Sequence, residues 1–209
     1  MTVDNWTNIA VAFGTILLAI LIVYGDIVQH YLVGPKLFII VQDLLKEQIS
    51  TSSQGYINFY SHLIIENKRP YSIAKNVEVL VTSIRIKTDP QIDYQYIYWL
   101  GPVPLIWQFS SWENSFNSGQ ISIGPKRICD FFQISKDKNI LKLLIRIDTP
   151  MTSVYLTDKG SIEVIIELSA ENFKSKPYCY EISWDGKWID NMNDINSHLK
   201  VKEVSLKKK

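Results

Sequence analysis

The chain is short of the side chains that usually announce chemistry. It holds two cysteines, Cys129 and Cys179, too few for a disulfide framework. One bridge between them is open to a body in an oxidising compartment; the expectation is two unpaired, partly buried thiols. No Cys-x-x-Cys occurs and no Cys/His pair stands at metal spacing, so no metal or other cofactor is expected. The three histidines, His30, His62 and His198, form no ligand pair. His62 reads as an exposed residue on the outer face of its strand, beside Tyr60. Gly-x-Ser-x-Gly, phosphate-cradling and calcium-binding loops are missing. Asp158-Lys159-Gly160 and Asp185-Gly186 read as turns. Glu163 and Glu167 share one strand face, the pattern of a solvated face. These absences argue against an enzyme and leave a membrane-bound hydrolase, which needs a nucleophile and a base, as the least favoured reading.

Charge of one sign is also missing. Lys and Arg number 22 against 21 Asp and Glu, so the balance gives no reason to expect nucleic acid. The exception is the C-terminal end, where Lys207, Lys208 and Lys209 are candidates for an anionic lipid surface. The plainer reading of that end is a disordered, solubilising tail.

One absence is local. Between Asp4 and Asp26 no side chain is charged. Residues 5–25 would make a helix about 30 Å long, the thickness of a bilayer core. Ile16 to Val23 is wholly aliphatic, and Trp6 and Tyr24 sit where interfacial rings belong. The stretch reads as one transmembrane helix in contact with the lipid bilayer, continuing to about Val33 and ended by Gly34-Pro35. A buried soluble helix would carry a polar face. A cleaved signal peptide would want basic residues first and a small-x-small site after; no Lys or Arg precedes Lys36. Lys36 and Lys46 against Asp4 favour a cytoplasmic C-terminal body. The organisation expected is a membrane anchor over 1–35, a body over 36–190, and a short helix with a basic tail over 191–209.

The body alternates in twos. Residues 36–42 are a short β-branched run. Ile57, Phe59, Leu63 and Ile65 share one face, as do Val77, Val79 and Val81, then Leu141, Leu143, Ile145 and Ile147. Ile162, Val164, Ile166 and Leu168 follow, and last Tyr180, Ile182 and Trp184. Residues 127–134 are a further strand. No amphipathic helix separates consecutive strands, which excludes parallel βαβ units. The expected fold is all-β: two antiparallel sheets packed as an immunoglobulin-like sandwich after one N-terminal transmembrane helix. Residues 88–126 are an irregular insertion with an edge strand near 92–99, a break at Gly101-Pro102-Val103-Pro104 and a brief pairing at 105–109. Asp190 could cap a helix using Met192, Ile195 and Leu199.

The stretch from Leu63 to Val79, with Asn67 before the turn and Ala74-Lys75-Asn76-Val77 after it, resembles a signature of bacterial and archaeal immunoglobulin-like domains, CARDB-like modules among them. The resemblance implies that Asn67 caps the turn and that the small Ala74 lets two core strands cross. Leu156 to Val164 is similar to the corner before a penultimate strand in such domains, with Ser161 in place of the usual aromatic. The order of span, strand and sandwich resembles single-span prokaryotic membrane proteins. All of this implies fold and no chemistry.

The insertion is rich in rings. Tyr94, Tyr96 and Tyr98 share one strand face, and Trp99, Trp107, Trp112 and Phe116 lie close by in sequence. Such rings can anchor a partner or cover the insertion as a satellite core. The function expected is a single-pass membrane-anchored adaptor or accessory subunit that binds another protein. The alternative is an extracytoplasmic adhesion or glycan-binding module.

Overall fold

Apolar length and alternation divide the chain into a helix and a double sheet. The computed structural model describes residues 3–41, 49–51, 57–88, 93–97, 101–108, 121–136, 138–146, 153–173, 176–188 and 194–206. Helix α1 (Val3–Val33) is continuous over 31 residues. Its Thr15 hydroxyl donates to the Val11 carbonyl at 2.9 Å, a back-bond that satisfies the hydroxyl within the helix. None of Trp6–Gly25 is buried. Twelve large apolar side chains from Trp6 to Tyr24 are exposed, Ile22 at 81%. The helix ends at the expected Gly34-Pro35.

The strands are β1 (Leu37–Val41), β2 (Ile49–Thr51), β3 (Ile57–Asn67), β4 (Ala74–Lys87), β5 (Gln95–Tyr96), β6 (Val103–Pro104), β7 (Ile106–Trp107) and β8 (Ile121–Ile123). Then come β9 (Lys126–Ser135), β10 (Ile140–Leu143), β11 (Tyr155–Leu156), β12 (Gly160–Ser169), β13 (Pro177–Trp184), a one-turn helix α2 (Ile195–His198) and β14 (Leu199–Glu203). Among the described residues they form two sheets of seven strands, every pairing antiparallel. The first runs β1-β3-β9-β10-β11, with β2 on β3 and β7 on β9. The second runs β14-β13-β12-β4-β5, with β6 and β8 on β4. The fold is an all-β sandwich preceded by an apolar helix.

The period-two residues fill the space between the sheets. Leu63, Ile65, Leu141 and Leu143 come from the first sheet; Val77, Val79, Val81, Ile162, Val164, Ile166, Leu168, Tyr180, Ile182 and Trp184 come from the second. All are essentially fully buried, each contributing about 1.5–3 kcal/mol of apolar transfer. The rings of Phe131 and Tyr180 meet edge to face across the sheets, 6.0 Å between centroids.

Two irregularities keep the pattern in phase. Ser61 pairs with Phe132 and His62 with Asp130, so Phe131 is an extra residue on β9. Phe131 and Phe132 therefore both turn inward. On β4, Ser83 pairs with Ile165 and Val81 with Ile166, which leaves Thr82 unpaired in the ladder. That bulge turns Ile84 inward and sends Arg85 and Lys87 outward. Strict alternation from Val77 would have pointed both charges into the core.

The expected insertion closes edges. Strands β5, β6 and β8 lie in succession along β4, and β7 lies along β9. The expected break at 101–104 contains pairing residues, since Val103 and Pro104 face Val81 and Leu80. The edge strand near 92–99 pairs only over Gln95 and Tyr96 among the described residues. Past residue 190 the chain does more than form a helix and a tail. β14 adds a strand to the second sheet, and Leu199 enters the core. Asp190, Met192 and Lys207 to Lys209 lie outside the described residues, as do Lys46 and Ile147.

Asn67 sits at the junction of helix and sandwich and is 3% exposed. Its Oδ1 accepts from the backbone N–H groups of Lys36 and Arg69, each at 3.0 Å, and its Nδ2 donates to the Ser72 carbonyl at 2.7 Å. One side chain thus ties the start of β1 to the β3–β4 turn. Ala74 is fully buried beyond it.

Candidate functional site

The outer face of the second sheet is built of cross-strand rows. The first row reads Lys87, Ser161, Ser183, Lys200 across β4, β12, β13 and β14. The next reads Tyr96, Arg85, Glu163, Glu181, Lys202 across β5, β4, β12, β13 and β14. The two-residue period puts both rows outward, and residues directly opposite one another interact.

Charges pair along the second row. Arg85 Nε donates to Glu163 Oε1 at 2.6 Å, and its Nη2 reaches the same oxygen. Glu163, expected on a solvated face, is 6% exposed. The physical cause is its place between Arg85 on β4 and Glu181 on β13, where Arg85 neutralises it. The guanidinium also lies 5.4 Å from the ring centroids of both Tyr94 and Tyr96. Lys202 Nζ bonds Glu181 Oε2 at 3.1 Å. Burial raises the Glu181 pKa, but the Lys202 hydrogen bond and charge outweigh it and hold the carboxyl below its ordinary value.

The first row opens into a cleft of about 340 Å³. Lys87, Lys159, Ser161, Ser183, His198 and Lys200 line it, with Tyr94 as a wall. Ser161 and Ser183 join their hydroxyls at 2.9 Å. Asp185 Oδ2 lies 2.5 Å from His198 Nδ1. Burial raises the Asp185 pKa, yet the hydrogen bonds from His198 and the Lys187 backbone bring it below its usual value. An ionised carboxylate only accepts, so the ring carries its proton on Nδ1. Ser197 Oγ donates instead to the Asp194 carbonyl at 2.6 Å. Next to Asp185, Gly186 takes φ 83°, where an added Cβ would stand 2.7 Å from the Lys159 backbone nitrogen.

The carboxylates of the cleft are matched and its lysines are not. Glu181 has Lys202, and Asp185 has His198. Among the described residues, no carboxylate pairs with Lys87, Lys159 or Lys200; the Lys87 ammonium rests 5.9 Å from the Tyr94 ring. The surplus is positive, suited to an acidic group with the serine hydroxyls beneath it. The cleft lies at the far end of β4 from the helix exit, roughly 40 Å along the strand.

The expected aromatic surface divides. Tyr94 and Tyr96 come together over Arg85, with Tyr96 63% exposed. The Tyr94 pKa is pushed up to about 12, by burial first and then by Glu181. Trp107 is 6% exposed and packs in the core, because β7 crosses onto β9 and turns the ring inward. It offers no outer surface. Tyr98, Trp99, Trp112 and Phe116 lie outside the described residues. His62 is a further correction: it is 5% exposed, with Nδ1 2.9 Å from Asp130 Oδ1. It faces Asp130 across the β3–β9 ladder at the bulge, an arrangement strand alternation does not reveal. The lysine and serine row was also missed, since its members come from four separate strands. Cys129 and Cys179 are both free and buried, one in each sheet. Among the described residues, no group of three His, Cys, Asp or Glu side chains is placed to hold a metal.

No family model matches the chain, and no curated protein does either. A solved protein from Bordetella pertussis, provisionally named ApaA, is 14% identical over 70% of this chain and 89% of its own, with a TM-score of 0.29. A likeness that distant carries no argument, so the fold rests on this chain's own pairing.

Proposed function

We propose that the chain is a single-pass membrane protein whose sandwich works as a protein-binding adaptor, receiving an acidic segment of its partner in the Lys87–Lys200 cleft. The observation that carries this is the set of lysines that, among the described residues, have no carboxylate partner around the Ser161–Ser183 pair. Tyr94 and Tyr96 supply a rigid aromatic edge beside it. The membrane half rests on twelve exposed apolar side chains on α1. At about 1.5–3 kcal/mol each they would not remain in water. The immunoglobulin-like character, of the CARDB-like kind, is supported by two antiparallel sheets and the Asn67 cap. Lys36 at the helix exit favours a cytoplasmic body.

The test is a photo-crosslinker at Tyr96 in the full chain, with and without Lys87→Glu and Lys200→Glu. A discrete crosslinked partner lost on charge reversal supports the adaptor. An unchanged partner set from a folded variant removes the cleft from the reading. A glycan-binding body outside the cell is the second reading, favoured by the exposed Tyr96 ring beside polar groups. Protease access to the body in sealed cells separates the two.

A further inference from the structure

We infer that the helix-proximal end of the sandwich is a contact surface for anionic phospholipid headgroups, an inference that rests on the membrane reading of α1. The geometry begins with the tether. Past the apolar span Trp6–Gly25 the helix runs on to Val33, about 12 Å further, and Gly34, Pro35 and Lys36 are all that separate Val33 from Leu37 of β1, a reach of roughly 14 Å at full extension. The tether is also held. Arg69 Nη1 donates to the Gly34 carbonyl at 3.1 Å, and the Lys68 backbone N–H donates to the Lys36 carbonyl at 2.9 Å. Asn67 Oδ1 accepts from the Lys36 N–H at 3.0 Å. The β3–β4 turn is therefore bound to the point where the chain leaves the helix.

That turn presents what a bilayer surface takes up. Tyr71 is 75% exposed and Ile73 53% exposed at its tip. A Tyr ring with an aliphatic neighbour suits the headgroup boundary, where one end is apolar and the other wet. The basic residues lie at the same end of the sandwich, and Asn172 Nδ2 donates to the Ile73 carbonyl at 2.9 Å. The backbone N–H of Asn67 donates to the Pro125 carbonyl at 2.8 Å, bringing the β8–β9 turn alongside. Lys126 and Arg127 then stand opposite Glu66 and Ile65. Lys36 and Lys68 place their ammonium groups 5.6 and 4.4 Å from the Phe38 ring. Over residues 34–36, 66–73 and 124–127 the basic residues are Lys36, Lys68, Arg69, Lys126 and Arg127 against Glu66; Glu171, whose N–H donates to the Lys75 carbonyl at 3.1 Å, is a second acid on the flank of the turn. A basic, ring-tipped end tied to a helix that leaves the apolar span about 12 Å earlier matches lipid phosphates in charge and lies within reach of them.

The experiment uses the full chain with Tyr71→Cys carrying an environment-sensitive fluorophore; Cys129 and Cys179 are buried. It is reconstituted into phosphatidylcholine vesicles with or without phosphatidylglycerol and read by quenching from headgroup spin-labelled lipid. The expected result is strong quenching in the anionic vesicles. Quenching falls about fivefold or more when Lys68, Lys126 and Arg127 are changed to Glu. It also weakens with added salt in the unaltered background, a readout independent of how the charge variants fold. A chain that floats with the vesicles while its probe stays unquenched, or is quenched equally in neutral vesicles, overturns the inference and leaves the anchor standing. A chain that does not float overturns both.

Discussion

Glu163 and Arg85 stand directly opposite on β12 and β4, and the 2.6 Å bond between Arg85 Nε and Glu163 Oε1 lies on a face where water would be expected. The carboxylate side chain is 8% exposed and the guanidinium 32%. Two tyrosines flank the cation and Glu181 follows the anion. The row is a device for keeping charges on a covered sheet face.

Removing one partner therefore strands the other. Arg85→Ala should destabilise by about 2–3 kcal/mol, near the low end for a broken buried pair because Arg85 is partly wet. Arg85→Met with Glu163→Leu should recover most of the loss. Urea unfolding of the detergent-solubilised chain measures both; equal losses in the single and double variants would show that the pair matters little.

Trp107 and Tyr96 come from the same aromatic insertion and should behave oppositely. Trp107→Ala opens a core cavity and should cost about 3–5 kcal/mol. Tyr96→Ala should fall near 0.5 kcal/mol, the range of an exposed site. Thermal unfolding of the two variants gives the comparison, and similar shifts would place Trp107 wrongly.

Both thiols should resist modification in the native chain. Burial, with Asp130 alongside, holds the Cys129 pKa well above its usual value. Burial first and Glu163 second push that of Cys179 up to about 11. Neither presents a reactive thiolate near neutral pH. Maleimide labelling at pH 7.5 should be negligible until denaturant is added, then reach both sites; rapid native labelling of either contradicts the packing.

Acid should weaken the second sheet. Glu181 and Asp185 are held below their ordinary values of 4.5 and 3.8. A depressed folded value means their contribution is complete above those values and is lost as pH falls through the folded ones. Stability should decline as pH drops below about 4.5, and less steeply in Lys202→Met. A pH series of urea midpoints checks this, with an identical slope in the variant as the contrary result.

Much of the fold was legible because the physics is local. Ile162, Val164, Ile166 and Leu168 stand two apart, and all four are buried. Gly34-Pro35 ends the helix as proline must. What escaped depends on partners distant in sequence. Arg85 faces outward because Thr82 is extra against β12, and His62 is buried where Phe131 is extra on β9. A bulge resets which face a residue takes, and only the neighbouring strand reveals it. The cleft was invisible for the same reason. Lys87, Ser161, Ser183 and Lys200 span more than a hundred residues of chain and meet only through register. β14 was missed because five residues rich in lysine carry too little apolar pattern.

The account turns on α1 residing in lipid. Alkaline carbonate washing of membranes from cells expressing the full chain is the direct measurement. The chain should remain in the membrane pellet at full length, and a version beginning at Lys36 should pass to the supernatant. Full-length chain released by carbonate, intact and without detergent, would contradict it.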